Sequence, residues 1–200
     1  MNDNQDGLDG QERREYFRIK NWIIINHELI PSLEDAPPIE DLAQSSSPKI
    51  NLLHELNRLE NENQAYLGSL AEKQSQLGNY LLNINRKIEL LTQFVVQSLD
   101  TDAQELTEVD ISGGGVRFTA QDSYELDQHV KIELVLVPEC VGIVAYGRVV
   151  DCKPREQDTG YDLALIFVKL REAHRDAIIK HVFQVQSRQL RQDQGENEEN

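Results

Sequence analysis

Positive charge is scarce in this sequence: 20 Lys and Arg face 35 Asp and Glu, for a formal net charge of -15 and a pI near 4.7. Surfaces that bind nucleic acid or anionic membrane concentrate cations to neutralise phosphates, so a broad interface of that kind is excluded. Any phosphate binding must be local. Long apolar runs are missing as well. No stretch of about 18 apolar residues is present to span a bilayer, and the acidic, polar start lacks the basic and apolar regions of a signal peptide. The expectation is a soluble, cytoplasmic chain without membrane insertion.

Only two cysteines occur, Cys140 and Cys152, both in or beside strand-like runs. In an unexported chain such a pair reads as reduced structural thiols. His27, His54, His129, His174 and His181 are scattered without metal-ligand spacing, and neither cysteine lies in a nucleophile motif. A GxxxxGK[ST] loop and a GxGxxG fingerprint are both absent. These absences argue for a binding protein rather than an enzyme, with no metal and no cofactor.

What is present divides the chain into segments. Residues 1–11 and 193–200 are acidic, polar and aperiodic, which predicts disordered tails. Residues 12–30 carry an arginine cluster and then a β-branched, aromatic stretch from Tyr16 to Ile30 that reads as a strand or strand pair needing partners elsewhere. Residues 31–49 hold four prolines and a Ser triplet and mark a linker.

Over residues 50–99 the pattern is heptad. Leu53, Glu60, Leu67, Gln74, Leu81, Ile88 and Val95 recur every seven residues, and Leu56, Asn63, Leu70, Leu77, Ile84 and Leu91 follow the same repeat. One helix over this span would be roughly 65 Å long, more than a small domain can cover. The preferred reading is one continuous coiled-coil helix that makes a homo-oligomer through residues 53–95; the other is a helical hairpin broken near Gly68 or Gly78. Mixed Leu and Ile in the seam leave dimer, trimer and tetramer open.

After Asp100 the period falls to two. ELTEVDI, GVRFTA, HVKIELVLV, VGIVAYGRVVDC and YDLALIFVKL are short strand-like runs separated by Gly, Pro or Asp, the spacing of an antiparallel barrel or sandwich. From about Arg171 to Gln192, Ile178, Ile179, Val182 and Val185 fall at helical spacing and predict an amphipathic C-terminal helix.

Two short motifs can carry recognition. Arg13, Arg14 and Arg18 lie within six residues of an otherwise acidic chain. Guanidinium meets phosphate oxygens bidentately and stacks on flat rings, although such a run can equally offset Asp9, Glu12 and Glu15 on a solvated surface. The second motif is Asp110, Ile111, Ser112, Gly113, Gly114, Gly115. Its carboxylate can accept from the ring N–H and amino group of a guanine, and its hydroxyl or amides can donate to phosphate. The plain alternative is a tight β turn that needs glycine for geometry.

Taken together, RREYFR fits an RxxxR signature (Arg14 to Arg18, preceded by Arg13) and DISGGG fits DxSxxG (Asp110, Ser112, Gly115). In that order, before GRVVDC, YDLALIFVKL and a closing helix, they resemble the PilZ domains, bacterial receptors for cyclic di-GMP. The resemblance covers residues 12–30 and 100–192 and implies a six-stranded β barrel that binds the dinucleotide on its outer surface without chemistry. It implies that Arg13, Arg14 and Arg18 serve ligand phosphates and guanine faces, and that Asp110, Ser112 and Gly115 serve the guanine edge and the turn beneath it. The linker and coiled coil interrupt the domain, as in a PilZ subgroup whose long helices form a tetramer and whose members can lack ligand binding. The implied function is a cyclic di-GMP receptor or adaptor acting on motility, pilus or biofilm machinery through an unidentified effector protein; the alternative is a structural adaptor without ligand.

Overall fold

Six strands, alternating in polarity along their length, close on one another so that no sheet edge is left open. The computed structural model describes residues 17–73, 75–98, 106–156 and 159–198. Strands β1 (Ile19–Ile30), β2 (Leu106–Ser112), β3 (Gly115–Ala120), β4 (His129–Leu136), β5 (Val141–Pro154) and β6 (Tyr161–Leu170) form a closed antiparallel barrel in the order β1-β2-β3-β6-β5-β4. Side chains alternate between faces. Val109 and Ile111 of β2, Val116 and Phe118 of β3, and Leu163 and Leu165 of β6 accordingly point into one core, which the C-terminal helix α3 (Glu172–Glu198) closes with Ile178, Val182 and Val185.

The first strand is the bridge of the barrel. Its start pairs with β2, from Ile19↔Ile111 to Ile24↔Leu106, and its end pairs with β4, from Ile24↔Val135 to Ile30↔His129. The uninterrupted run Ile23-Ile24 has a reason: Ile23 enters the barrel core, whereas Ile24, on the opposite face, is buried under helices with Ile50, Leu53, Val96, Val135 and Val144. A strand covered on both faces loses the alternation of a half-exposed one. Gly142 of β5 lets the helices approach, since a Cβ there would stand 3.3 Å from both Ile50 Cδ1 and Leu53 Cβ.

Those helices correct one expectation. The heptad region is two helices, α1 (Pro48–Lys73) and α2 (Ser75–Ser98), folded back on each other rather than one continuous rod. The carboxyl of Glu89 on α2 lies close enough to Glu60 of α1 to help burial raise the Glu60 pKa, and Leu53 shares a cluster with Val96 near the other end of α2, as antiparallel packing requires. Helix α1 ends at Lys73 and α2 begins at Ser75, in a stretch of sequence that is polar from Glu72 to Gln76, so a straight helix would gain little apolar contact there.

Residues 31–49 are more ordered than a linker. Two short 3-10 helices, Leu33–Asp35 and Ile39–Ser45, bring Leu42 and Ala36 against Tyr146, and Lys169 Nζ donates to the Leu33 and Ala36 carbonyls at 3.2 and 3.0 Å. Helix α3 continues past the expected end at Gln192 to Glu198, so most of the segment read as a disordered tail is helical. No proline stops it, and a helix already docked at Ile178 and Val182 propagates readily, even across Gly195. The other expected tail, residues 1–11, lies outside the described residues.

Candidate functional site

The register of β1 against β2 determines what the two arginine and glycine motifs can share. Ile19 pairs with Ile111 and Lys20 with Asp110, and on β3 Asp110 pairs in turn with Arg117. Because Ile19, Val109, Ile111, Val116 and Phe118 point into the core, the intervening Lys20, Asp110 and Arg117 form one transverse row on the outer face, with Cβ separations of about 5 Å. Arg18 is exposed and immediately precedes Ile19, the first residue of the paired register. Arg13 and Arg14 lie outside the described residues. Of the six candidate residues, Asp110, Ser112 and Gly115 lie on the paired strands β2 and β3, and Arg18 stands one residue before the pair Ile19↔Ile111.

The DISGGG segment is a two-residue hairpin, Gly113-Gly114, closed by the pair Ser112↔Gly115. Ser112 is 4% exposed; its Oγ accepts from the Gly114 N–H at 3.3 Å and donates to the Gly115 carbonyl at 3.4 Å. A Cβ on Gly115 would stand 2.2 Å from the Leu165 carbonyl oxygen, so the close approach of β6 requires glycine. The turn is also held from outside: the Phe167 N–H donates to the Gly114 carbonyl at 2.9 Å, and Arg175 of α3 donates to the Gly113 carbonyl. Ser112 and Gly115 thus have structural work in the turn. Asp110 differs. Among the described residues, no side-chain hydrogen bond or ion pair engages its carboxylate, which leaves its acceptor positions open on the outer face.

Arg117 was visible in the sequence only as the polar member of the alternating run GVRFTA. In the fold its guanidinium donates to Asp151 of β5 at 3.0 Å across Ala164, and Lys153 reaches the same carboxylate at 3.2 Å. The Arg117 hydrogen bond, with Lys153 assisting, holds the Asp151 carboxyl below the usual carboxylate range. Arg117, Lys20 and Arg18 are the described cations nearest Asp110 along these strands. They supply local positive charge in a chain of net charge -15.

The histidines do structural work at the interior margins. His181, 2% exposed, bonds to Asn21 at 2.7 Å and to Glu139 at 2.9 Å, and Arg188 reaches the other oxygen of Glu139 at 2.8 Å. Burial alone would raise the Glu139 pKa, but the hydrogen bond with His181, its own backbone N–H and Arg188 bring it down to about 2. His54 of α1 and His174 of α3 stack with ring centroids 5.0 Å apart, bonded to the Gly142 and Val144 carbonyls. Among the described residues no group of His, Cys, Asp and Glu is arranged to hold a metal ion, and no helix is long and apolar enough to cross a membrane. Cys140 and Cys152 are free thiols; burial pushes Cys140 up to about 11, away from the reactive thiolate range.

Comparison with known proteins agrees with this architecture. No curated protein sequence is significantly similar to the chain. A solved structure from Xanthomonas campestris, a pathogenic protein described as a tetrameric PilZ domain self-assembled via a helical bundle, superposes with a TM-score of 0.56 at 15% identity. The match covers 88% of this chain and 91% of that one. At that identity the likeness concerns the fold. The PilZ domain family model matches residues 85–184, half of the chain, from within α2 through the DISGGG turn and all five later strands into α3. The chain therefore belongs to the PilZ domain family.

Proposed function

We propose that this protein is a cytoplasmic cyclic di-GMP receptor and adaptor that self-associates through its helical hairpin and relays second-messenger level to motility, pilus or biofilm machinery. PilZ domains are non-enzymatic modules whose ligand is cyclic di-GMP. The observation that carries the reading is the β1–β2 register, in which Ile19↔Ile111 and Lys20↔Asp110 bring the end of the arginine motif beside the glycine motif on one outer face. Asp110 accepts from a guanine edge; Arg18, with Arg13 and Arg14 ahead of it, takes phosphates and guanine faces; Ser112 and Gly115 shape the turn beneath.

The magnitudes are sufficient. Micromolar affinity needs about 8 kcal/mol, and a few charge-assisted hydrogen bonds at about 1.5–3 kcal/mol each, with arginine stacking, reach that after ordering costs. Self-association is supported by the apolar side chains the hairpin leaves in water, including Leu59, Tyr66, Tyr80, Leu91 and Phe94. The tetrameric helical bundle described for the Xanthomonas protein is consistent with a second copy covering them.

A second reading, an adaptor that keeps the barrel without ligand, is favoured by the structural roles of Ser112 and Gly115, which would preserve those residues regardless of binding. Isothermal titration with cyclic di-GMP separates the two. The receptor reading expects micromolar binding that Asp110→Ala and Arg14→Ala each weaken; a wild-type protein that takes up no dinucleotide leaves only the adaptor.

A further inference from the structure

We propose that Arg117 is an additional ligand-binding residue, closing the flank of the site opposite the arginine arm; this rests on the receptor reading above. Asp110 is the centre of the outer row. On its β1 side stand Lys20 and, one turn of the pleat away, Arg18; on its β3 side stands Arg117, directly opposite in the register. A ligand that presents a guanine edge to Asp110 and carries phosphates on both sides of its ring meets cations on both flanks.

The floor beside Arg117 is low on two sides: Gly115, two residues back on the same strand, and Ala164, directly across on β6, are small, while Thr119, Asp162 and Ile166 stand at the diagonal positions of the same face. Asp151 holds one edge of the fork at 3.0 Å. A guanidinium presents five donors, so that contact leaves others for phosphate or a ring face. The side chain is 40% exposed, reachable without unfolding anything. Asp151 keeps Arg117 extended across β6, yet its own carboxylate repels an anionic ligand.

The plain alternative is an ion pair that only ties β3 to β5, and the two partners separate the cases. Arg117→Gln and Asp151→Asn break the same pair. If the pair is purely structural, both variants lose similar thermal stability and neither changes cyclic di-GMP affinity. If Arg117 contacts the ligand, Arg117→Gln raises Kd about tenfold or more, as expected for one lost charge-assisted bond to phosphate, while Asp151→Asn keeps Kd within about threefold of wild type or tightens it. Arg117→Lys should recover part of the affinity, since it retains the charge without the planar fork. Titrations in which Arg117→Gln matches wild type, or in which both variants weaken binding equally, overturn the assignment while leaving the receptor reading intact. A wild-type protein without affinity for the dinucleotide overturns both.

Discussion

Lys20 and Asp110 stand directly opposite each other across β1 and β2, although the entire helical hairpin lies between them in the chain. The insertion therefore leaves the barrel uninterrupted: the chain departs from β1 at Ile30, builds the hairpin on the outer face of β1, β4 and β5, and returns to pair β2 with the strand it left. A cation and a carboxylate from the two motif strands end up on one surface because both flank core residues, Ile19 and Ile111, whose burial sets the register.

The exposed hairpin residues should mediate self-association. Leu91 and Phe94 are 62% and 67% exposed in the protomer, so replacing them does not disturb its core. Leu91→Glu with Phe94→Glu is expected to turn the oligomer into a folded monomer, read by light scattering with circular dichroism to confirm the fold. A wild-type monomer at tens of micromolar would contradict the oligomer.

Gly115→Ala tests the structural half of the DISGGG turn. Its Cβ would collide with the Leu165 carbonyl, a backbone atom that cannot swing aside, so a loss of about 1–3 kcal/mol or failure to fold is expected. An unchanged melting temperature would show that β6 does not approach as described.

Acid should begin to destabilise the fold above the ordinary carboxylate range. Burial is the main cause lowering His174 from 6.5 to about 4, and the stacked His54, itself lowered by burial, adds to it. The unfolded chain binds a proton near pH 6.5 that the folded chain accepts only near pH 4, so this stability is complete above 6.5 and is lost as pH falls through that window. His174 alone accounts for about 2 kcal/mol by pH 5. Urea titrations at pH 7.5 and 5 should show the decline, and His174→Gln should reduce it; an equal decline in the variant would place its origin elsewhere.

Much of this was legible in the sequence. Period-two runs after Asp100 located five strands and the β-branched, aromatic stretch ending at Ile30 the first, and β3 and β6 match the runs GVRFTA and YDLALIFVKL end to end. The heptads were equally visible, but a seam of residues spaced by seven faces a partner whether that partner is another chain or the same helix folded back. The alternative of a hairpin put the break near Gly68 or Gly78, whereas α1 ends at Lys73 and α2 begins at Ser75, between the two glycines. The need for glycine at 115 was hidden for another reason: the atom it avoids, the Leu165 carbonyl, belongs to a strand far along the chain. Arg117 was overlooked because a single charge in a strand looks like solvated surface until the register sets it beside Asp110.

The most direct test of one shared site is a double-mutant cycle on cyclic di-GMP affinity with Arg18→Gln, Asp110→Asn and the pair. Two side chains that grip one ligand from adjacent strands are expected to show a coupling of about 0.5–3 kcal/mol, the double variant losing less or more than the sum of the singles. Losses that add within about 0.3–0.5 kcal/mol, or no loss in either single variant, would mean that the two motifs do not act on the same molecule.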